Sequence, residues 1–159
     1  MIVVEKTFIM VKPDGLQRAL VGDIISRFEN KGLKLVALKL LLLDRERAEH
    51  HYAVHQKKSF YDALIEFITS GPVVAMVWEA DNAVYIGRKL TGPTTPNEAP
   101  PGTIRGDYCL NTQFNVIHAS DSVENARREI DIFFQPQEII RYDRSIKHWL
   151  GLDGMEPAL

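Results

Sequence analysis

The sequence predicts an α+β domain, a four-stranded antiparallel sheet of the ferredoxin-like, split β-α-β kind, covered by helices and carrying a long Pro/Gly-rich loop. Apolar runs and helically spaced apolar stripes follow the order β, α, β, helical insert, β, α, loop, β, α, which contains two β-α-β halves. Only four runs read as strands. The turn after the first is VKPDG and lacks a GxGxxG signature, so a Rossmann-type sheet is the weaker competitor. In this arrangement the helices are expected on one face.

Taken in order, Thr7 to Val11 is a nearly all-apolar run stopped by Pro13, Asp14 and Gly15, as a strand buried on both faces usually is. Ile24, Ile25 and Phe28 recur at helical spacing, and Gly32 offers a left-handed stop before Lys34 to Leu43, a long second strand. Asp44 can cap a helix running through Ala48 and Tyr52. Ser59 with Asp62 opens another, with Phe60, Ala63, Leu64, Phe67 and Ile68 as apolar positions, ended by Gly71 and Pro72. Val73 to Trp78 is the third strand, and Asp81 can cap a short helix through Ile86 and Leu90 that Gly92 and Pro93 stop. Thr91 to Phe114 holds four prolines and three glycines without periodicity, and a loop of that length in a compact domain is expected to have a job. Asn115 to His118 reads as the fourth strand. Asp121 with Glu124 forms a capping box for a helix whose apolar positions are Val123, Ala126, Ile130, Phe133 and Phe134, with Glu129 on the rim of that face.

The chain has 159 residues, enough for one domain with a substantial core, read as residues 1–159. A net charge of −2 argues against a generally basic nucleic-acid coat, so any anion site must be built locally. Cys109 is the only cysteine, which rules out an internal disulfide and fits a reducing compartment. With no leader-like run and no apolar stretch near the roughly 18 residues of a membrane span, the chain is expected to be cytoplasmic.

Chemistry concentrates at NVIHASDS, residues 115–122, where a histidine precedes a helix start. Alone, His118 suits an ordinary hydrogen-bonded histidine better than a nucleophile. Asn115, Ser120 and Glu129 bring to the same turn an amide, a hydroxyl and a carboxylate, the equipment that holds an imidazole in one tautomer. His50, His51 and His55 lack a Cys pair or HExxH pattern and read as a solvated helix, not a metal site. Lys12 ends the first strand, where its ammonium should emerge at the sheet edge, although taken alone it suits an ordinary snorkelling lysine better. Arg88 poses the same question. Thr94 and Arg105 lie in TGPTTP and PGTIRGD, a rigid loop suited to phosphate. Phe60 could stack a nucleobase or simply pack. No GxxxxGK[ST] loop occurs, so a P-loop is excluded.

The segments TFIMVKPDG, LQRALVGDIISRFENKG, SGPVVAMVWE, PGTIRGD and NVIHASDSVENARREI strongly resemble nucleoside diphosphate kinases, and the likeness runs from about Glu5 to Trp149, which implies a core of about 5–149 and a tail of 150–159. The resemblance implies that His118 accepts the phosphate while Glu129 and Ser120 orient it. It implies Lys12 and Asn115 at the ribose hydroxyls and nearby phosphate, with Tyr52 beside Lys12. Arg88, Thr94 and Arg105 would meet the phosphates and Phe60 the base. The implied reaction is ping-pong exchange of a γ-phosphoryl group between nucleoside tri- and diphosphates, ATP included, with broad base tolerance and Mg²⁺ held mainly by the nucleotide. A homo-oligomer is implied, a hexamer favoured over a tetramer, and the long apolar second strand would need such a cover. PTTPNEAP, residues 93–100, departs towards more proline, which bears on loop rigidity, and GLDGMEPAL extends past the common core. The competing class is a non-catalytic nucleotide- or RNA-binding module of the same fold. The absence of an aromatic RNP-type strand speaks against dedicated nucleic-acid binding.

Overall fold

The computed structural model describes residues 4–154. Four strands form one sheet in the order β2-β3-β1-β4, every neighbouring pair antiparallel. They are β1 (Val4–Val11), β2 (Lys34–Leu42), β3 (Pro72–Asp81) and β4 (Ile117–Ala119). The helices are α1 (Pro13–Gln17), α2 (Val21–Lys31), α3 (Arg45–His51), α4 (Tyr61–Ile68), α5 (Ala83–Thr91), α6 (Ile104–Tyr108) and α7 (Val123–Phe133). This is the expected split β-α-β order, with β1 and β3 at the centre.

The helices cover both faces, not one. Phe8 and Met10 of β1 pack with Ala48 of α3, Ile65 and Ile68 of α4 and Phe133 of α7. Their neighbours Ile9 and Val11 point the other way and pack with Ile24 and Phe28 of α2, with Ile86 and Leu90 of α5 against them. An alternating strand buried on one side would show polar residues at every second position; β1 does not, because the insert helices and α7 close its second face.

Several boundaries differ from the sequence reading. Pro13 to Gly15 does not make a free turn but opens α1, since proline's fixed φ suits the first helical position. Asp44 caps α3 as expected, its Oδ1 accepting from Arg47 N at 2.7 Å. Neither Ser59 nor Asp81 caps its helix: Phe60 precedes α4 with no side-chain cap, and Asn82 precedes α5, where Glu5 of β1 accepts from Val84 N at 2.9 Å. The cap of α7 is Ser122, whose Oγ accepts from Asn125 N at 3.1 Å, while Asp121 Oδ1 accepts from Asn125 Nδ2 at 2.6 Å. The long loop is not structureless. It contains a 3-10 turn at Pro96–Glu98 and α6, whose cap Thr103 Oγ1 accepts from Gly106 N at 3.0 Å. A five-residue helix is too short to show a period in sequence. Arg27 of α2 ties this loop down, pairing with Asp107 at 2.7 Å and donating to Gly102 O at 3.1 Å.

Past α7 the chain runs back along β2. Ile140 N donates to Val36 O, Tyr142 Oη to Leu35 O, and the Arg144 guanidinium to Gly32 O and Leu33 O. Of the expected tail 150–159, residues 155–159 lie outside the described residues.

Candidate active site

A cavity of about 620 Å³ opens between β4, α7, the α3–α4 segment and the long loop. Every residue singled out from the sequence except Ser120 lines it: Lys12, Tyr52, Phe60, Arg88, Thr94, Arg105, Asn115, His118 and Glu129. Ser120 is fully buried.

β4 sets the direction of His118. It pairs with Met10, and antiparallel partners share a face, so the imidazole rises on the Phe8 and Met10 side, towards α7. Ala126, Glu129 and Phe133 form the buried stripe of α7, so Glu129 sits within that face and not on its rim. His118 Nε2 is hydrogen-bonded to Glu129 Oε2. The Ser120 hydroxyl accepts from Phe8 N at 3.3 Å and reaches Phe8 O at 3.2 Å, pinning the end of β4 to β1, and also favours the charged form of Glu129.

Burial holds the His118 imidazole well below its ordinary pKa, and Lys12, Arg105 and Arg88 push it the same way. The ring is therefore neutral at pH 7. With Nε2 bonded to Glu129, Nδ1 carries the lone pair. Burial raises the Glu129 carboxyl, opposed by His51 and Ser120.

Lys12 directly follows β1 and donates from Nζ to Asn115 Oδ1 at 2.8 Å; Asn115 Nδ2 donates in turn to Thr94 O at 3.2 Å. Lys12 is thus buried and paired, not snorkelling, and burial together with Arg105 lowers its pKa to about 8. Arg88 of α5 donates to Ala119 O at 3.4 Å. Arg105 is almost wholly buried, and its guanidinium donates to the carbonyls of Asn115, Gly92 and Ile117, so it braces both ends of the long loop as well as charging the cavity. Tyr52 follows α3 with its hydroxyl buried and unpartnered among the described residues, its pKa raised by burial and by Glu129. Phe60 is half-exposed at the cavity mouth, its ring 5.5 Å from that of His55.

Three residues escaped sequence reasoning. Val116 has φ +71, rare for a β-branched residue, and Ile117 N donates to Asn115 O at 2.8 Å across it, closing a three-residue turn. Such a residue stores about 1–3 kcal/mol of strain and survives only where its surroundings hold it. Asp14 does the holding, with Oδ2 accepting from Val116 N at 3.0 Å while Lys12 N donates to Val116 O at 2.8 Å. The third is His51, expected on a solvated helix but buried at the end of α3, its Nδ1 3.7 Å from Glu129 Oε2. Its three-residue spacing from buried Ala48 was the available signal.

The family model described as nucleoside diphosphate kinase matches residues 5–139. A nucleoside diphosphate kinase of Listeria monocytogenes serotype 4a is 58% identical over 146 residues, covering 92% of this chain and 99% of the relative. The chain belongs to the nucleoside diphosphate kinase family. Another family member, from Archaeoglobus fulgidus, is 56% identical over 92% of this chain and 97% of its own. Among solved structures, the nucleoside diphosphate kinase of Halobacterium salinarum in complex with CDP superposes with a TM-score of 0.90 at 49% identity, covering 93% of this chain and 99% of that one. As a nucleoside diphosphate kinase, the protein is a nucleotide-binding phosphotransferase, and the reading as a non-catalytic module falls away. Phosphotransfer in the family requires a divalent cation. Among the described residues no helix is long and apolar enough to cross a membrane.

Proposed function

We propose that chain 1–159 acts as one kinase domain in which His118 carries the phosphoryl group between two nucleotides in a ping-pong cycle. The observation that supports this most directly is the bond from His118 Nε2 to Glu129 in a cavity that Lys12, Arg88 and Arg105 also line, which leaves Nδ1 without a partner among the described residues. In the first half-reaction the Nδ1 lone pair attacks the γ-phosphorus of a nucleoside triphosphate. The N–P bond forms as the bridging P–O bond breaks, and its electron pair leaves on the β-phosphate of the diphosphate product. A second nucleoside diphosphate reverses these steps. Glu129 stabilises the positive charge that builds on the ring, and Ser120 favours the charged carboxylate and holds β4 in place.

Lys12, Arg88 and Arg105 surround the charge that spreads over the transferred group, which is most of what phosphoryl transfer asks of a protein. Lys12, held by Asn115, is placed for the ribose hydroxyls and nearby phosphate, with the buried Tyr52 hydroxyl in reserve as a donor. Thr94 adds a hydroxyl at the loop. The half-exposed Phe60 offers a stacking face to any base, which supports broad tolerance of bases, ATP included. The CDP held by the Halobacterium salinarum relative accords with a pyrimidine fitting the same fold.

The divalent cation is proposed to be Mg²⁺. Apart from Glu129, which holds His118, Asp121 is the only carboxylate lining the cavity among the described residues, and Asn125 keeps it charged. One free carboxylate suits a hydrated ion carried by the nucleotide phosphates, with Asp121 acting through water. Mg²⁺ would neutralise phosphate charge.

Leu38, Leu40 and Leu42 stand exposed along β2, an edge of the sheet, and that supports a homo-oligomer, for which the family resemblance favours a hexamer over a tetramer. The lone free cysteine accords with a reducing cytoplasm. The test of the site is an exchange assay with ATP and a second nucleoside diphosphate. His118→Asn is expected to abolish turnover while keeping the fold; wild-type turnover in that variant would contradict the proposal.

A further inference from the structure

We infer that His51, His118 and Glu129 form a binding site for a borderline transition-metal ion of the zinc class, and that its occupancy silences the phosphate-accepting imidazole. His51 is 2% exposed, and neither of its ring nitrogens has a hydrogen-bond partner among the described residues. A buried imidazole in that state forfeits the hydrogen bonds it would make in water, so a ligand that engages it is favoured. Its Nδ1 faces Glu129 Oε2 at 3.7 Å. One ligating atom from each of the three side chains lies within 4.8 Å of the other two.

Two imidazoles and a carboxylate are the donor set of three-ligand zinc sites that leave a fourth position open. Ligand atoms at tetrahedral zinc stand roughly 3.3 Å apart, so His51 and Glu129 are already close to the required spacing. The ion takes the Nε2 lone pair of His118 beside Glu129, and the ring's single proton moves through solvent from Nε2 to Nδ1, so the imidazole stays neutral. All three residues line the open cavity, which provides both the path in and room for a water at the fourth position. Lys12, Arg88 and Arg105 repel a dication, which keeps the affinity below that of a closed structural site. Mg²⁺ prefers oxygen ligands and does not compete for a nitrogen-rich set.

With the metal on Nε2 the neutral ring carries its one proton on Nδ1, which leaves that atom no lone pair to attack the γ-phosphorus. Binding rests on side-chain geometry alone; inhibition rests also on the proposed role of His118, so the two are measured separately. Zinc affinity of the purified chain is read without nucleotide by competition against a chromophoric chelator. Labelling by γ-labelled ATP with Mg²⁺ is then followed with and without zinc. One zinc per chain is expected, with affinity lost roughly tenfold or more in His51→Phe and in His51→Asn, the second guarding against a variant that fails to pack. His148→Ala, which removes an exposed His148–Asp153 pair at 2.7 Å, is expected to leave zinc affinity unchanged. Zinc should slow labelling, and a zinc-selective chelator should restore it. Undiminished binding in both His51 variants would overturn the site. Binding that needs His51 but leaves labelling untouched would overturn the silencing. Absence of label in zinc-free protein would count against the role of His118, while the chelator titration would still decide the site.

Discussion

Nε2 of His118 on β4 is hydrogen-bonded to the carboxylate of Glu129 on α7, eleven residues further along the chain. This contact fixes the tautomer and leaves Nδ1 for the substrate. Glu129→Gln keeps an acceptor for Nε2 but removes the charge that steadies the developing imidazolium. Its kcat should fall about 10²-fold, and that of Glu129→Ala further, with KM for nucleotide nearly unchanged because Glu129 faces the histidine and not the nucleotide. Steady-state kinetics check this; a rise in KM at constant kcat would contradict it.

The two buried histidines predict an acid limb in stability. Burial lowers the pKa of both His51 and His118, so below about pH 6.5 the unfolded chain binds more protons than the native one. Their neutral burial therefore destabilises the fold as pH falls through that value and has no effect above it. Glu129, whose pKa is raised, acts in the opposite sense, so the informative quantity is a difference between proteins. Thermal melts between pH 8 and pH 5 should show a shallower acid limb in His51→Phe than in wild type.

Lys12 predicts a basic limb in nucleotide affinity. Its pKa of about 8 means that above this pH the free enzyme loses an ammonium that phosphate binding must restore. Affinity for a nucleoside diphosphate should decline as pH rises past 8. Lys12→Ala should bind more weakly and lose that step, which titration calorimetry at several pH values measures.

Asp14 and Val116 are 102 residues apart, yet the carboxylate of one holds the strained amide of the other. Asp14→Ala leaves that buried N–H unpaired and should cost about 1–3 kcal/mol, with activity reduced because the turn also presents Asn115. Asp14→Asn keeps an acceptor and should cost less. Denaturant unfolding of the two variants distinguishes these outcomes.

Legibility followed the locality of each interaction. The His118 and Glu129 pair could be anticipated because a strand end and a helical period lie within one short segment. The split β-α-β sheet of four strands followed from the alternation of elements. Partners from distant segments gave no local sign: Asp14 in a PDG sequence reads as a turn residue, and Val116 reads as an ordinary strand valine. His51 lay hidden among three histidines, and only the docking of α3 against α7 shows which one turns inward. Arg105 was placed in the right loop, but its bracing of Gly92, Asn115 and Ile117 needs the folded loop to be seen.

The central claim is tested most directly by locating the phosphoryl group after brief reaction with γ-labelled ATP, using mass mapping for the residue and phosphorus NMR for the nitrogen. An acid-labile, alkali-stable phosphoryl group on Nδ1 of His118 is predicted. A phosphoryl group on Nε2, on a serine or threonine, or on any other histidine would contradict the account.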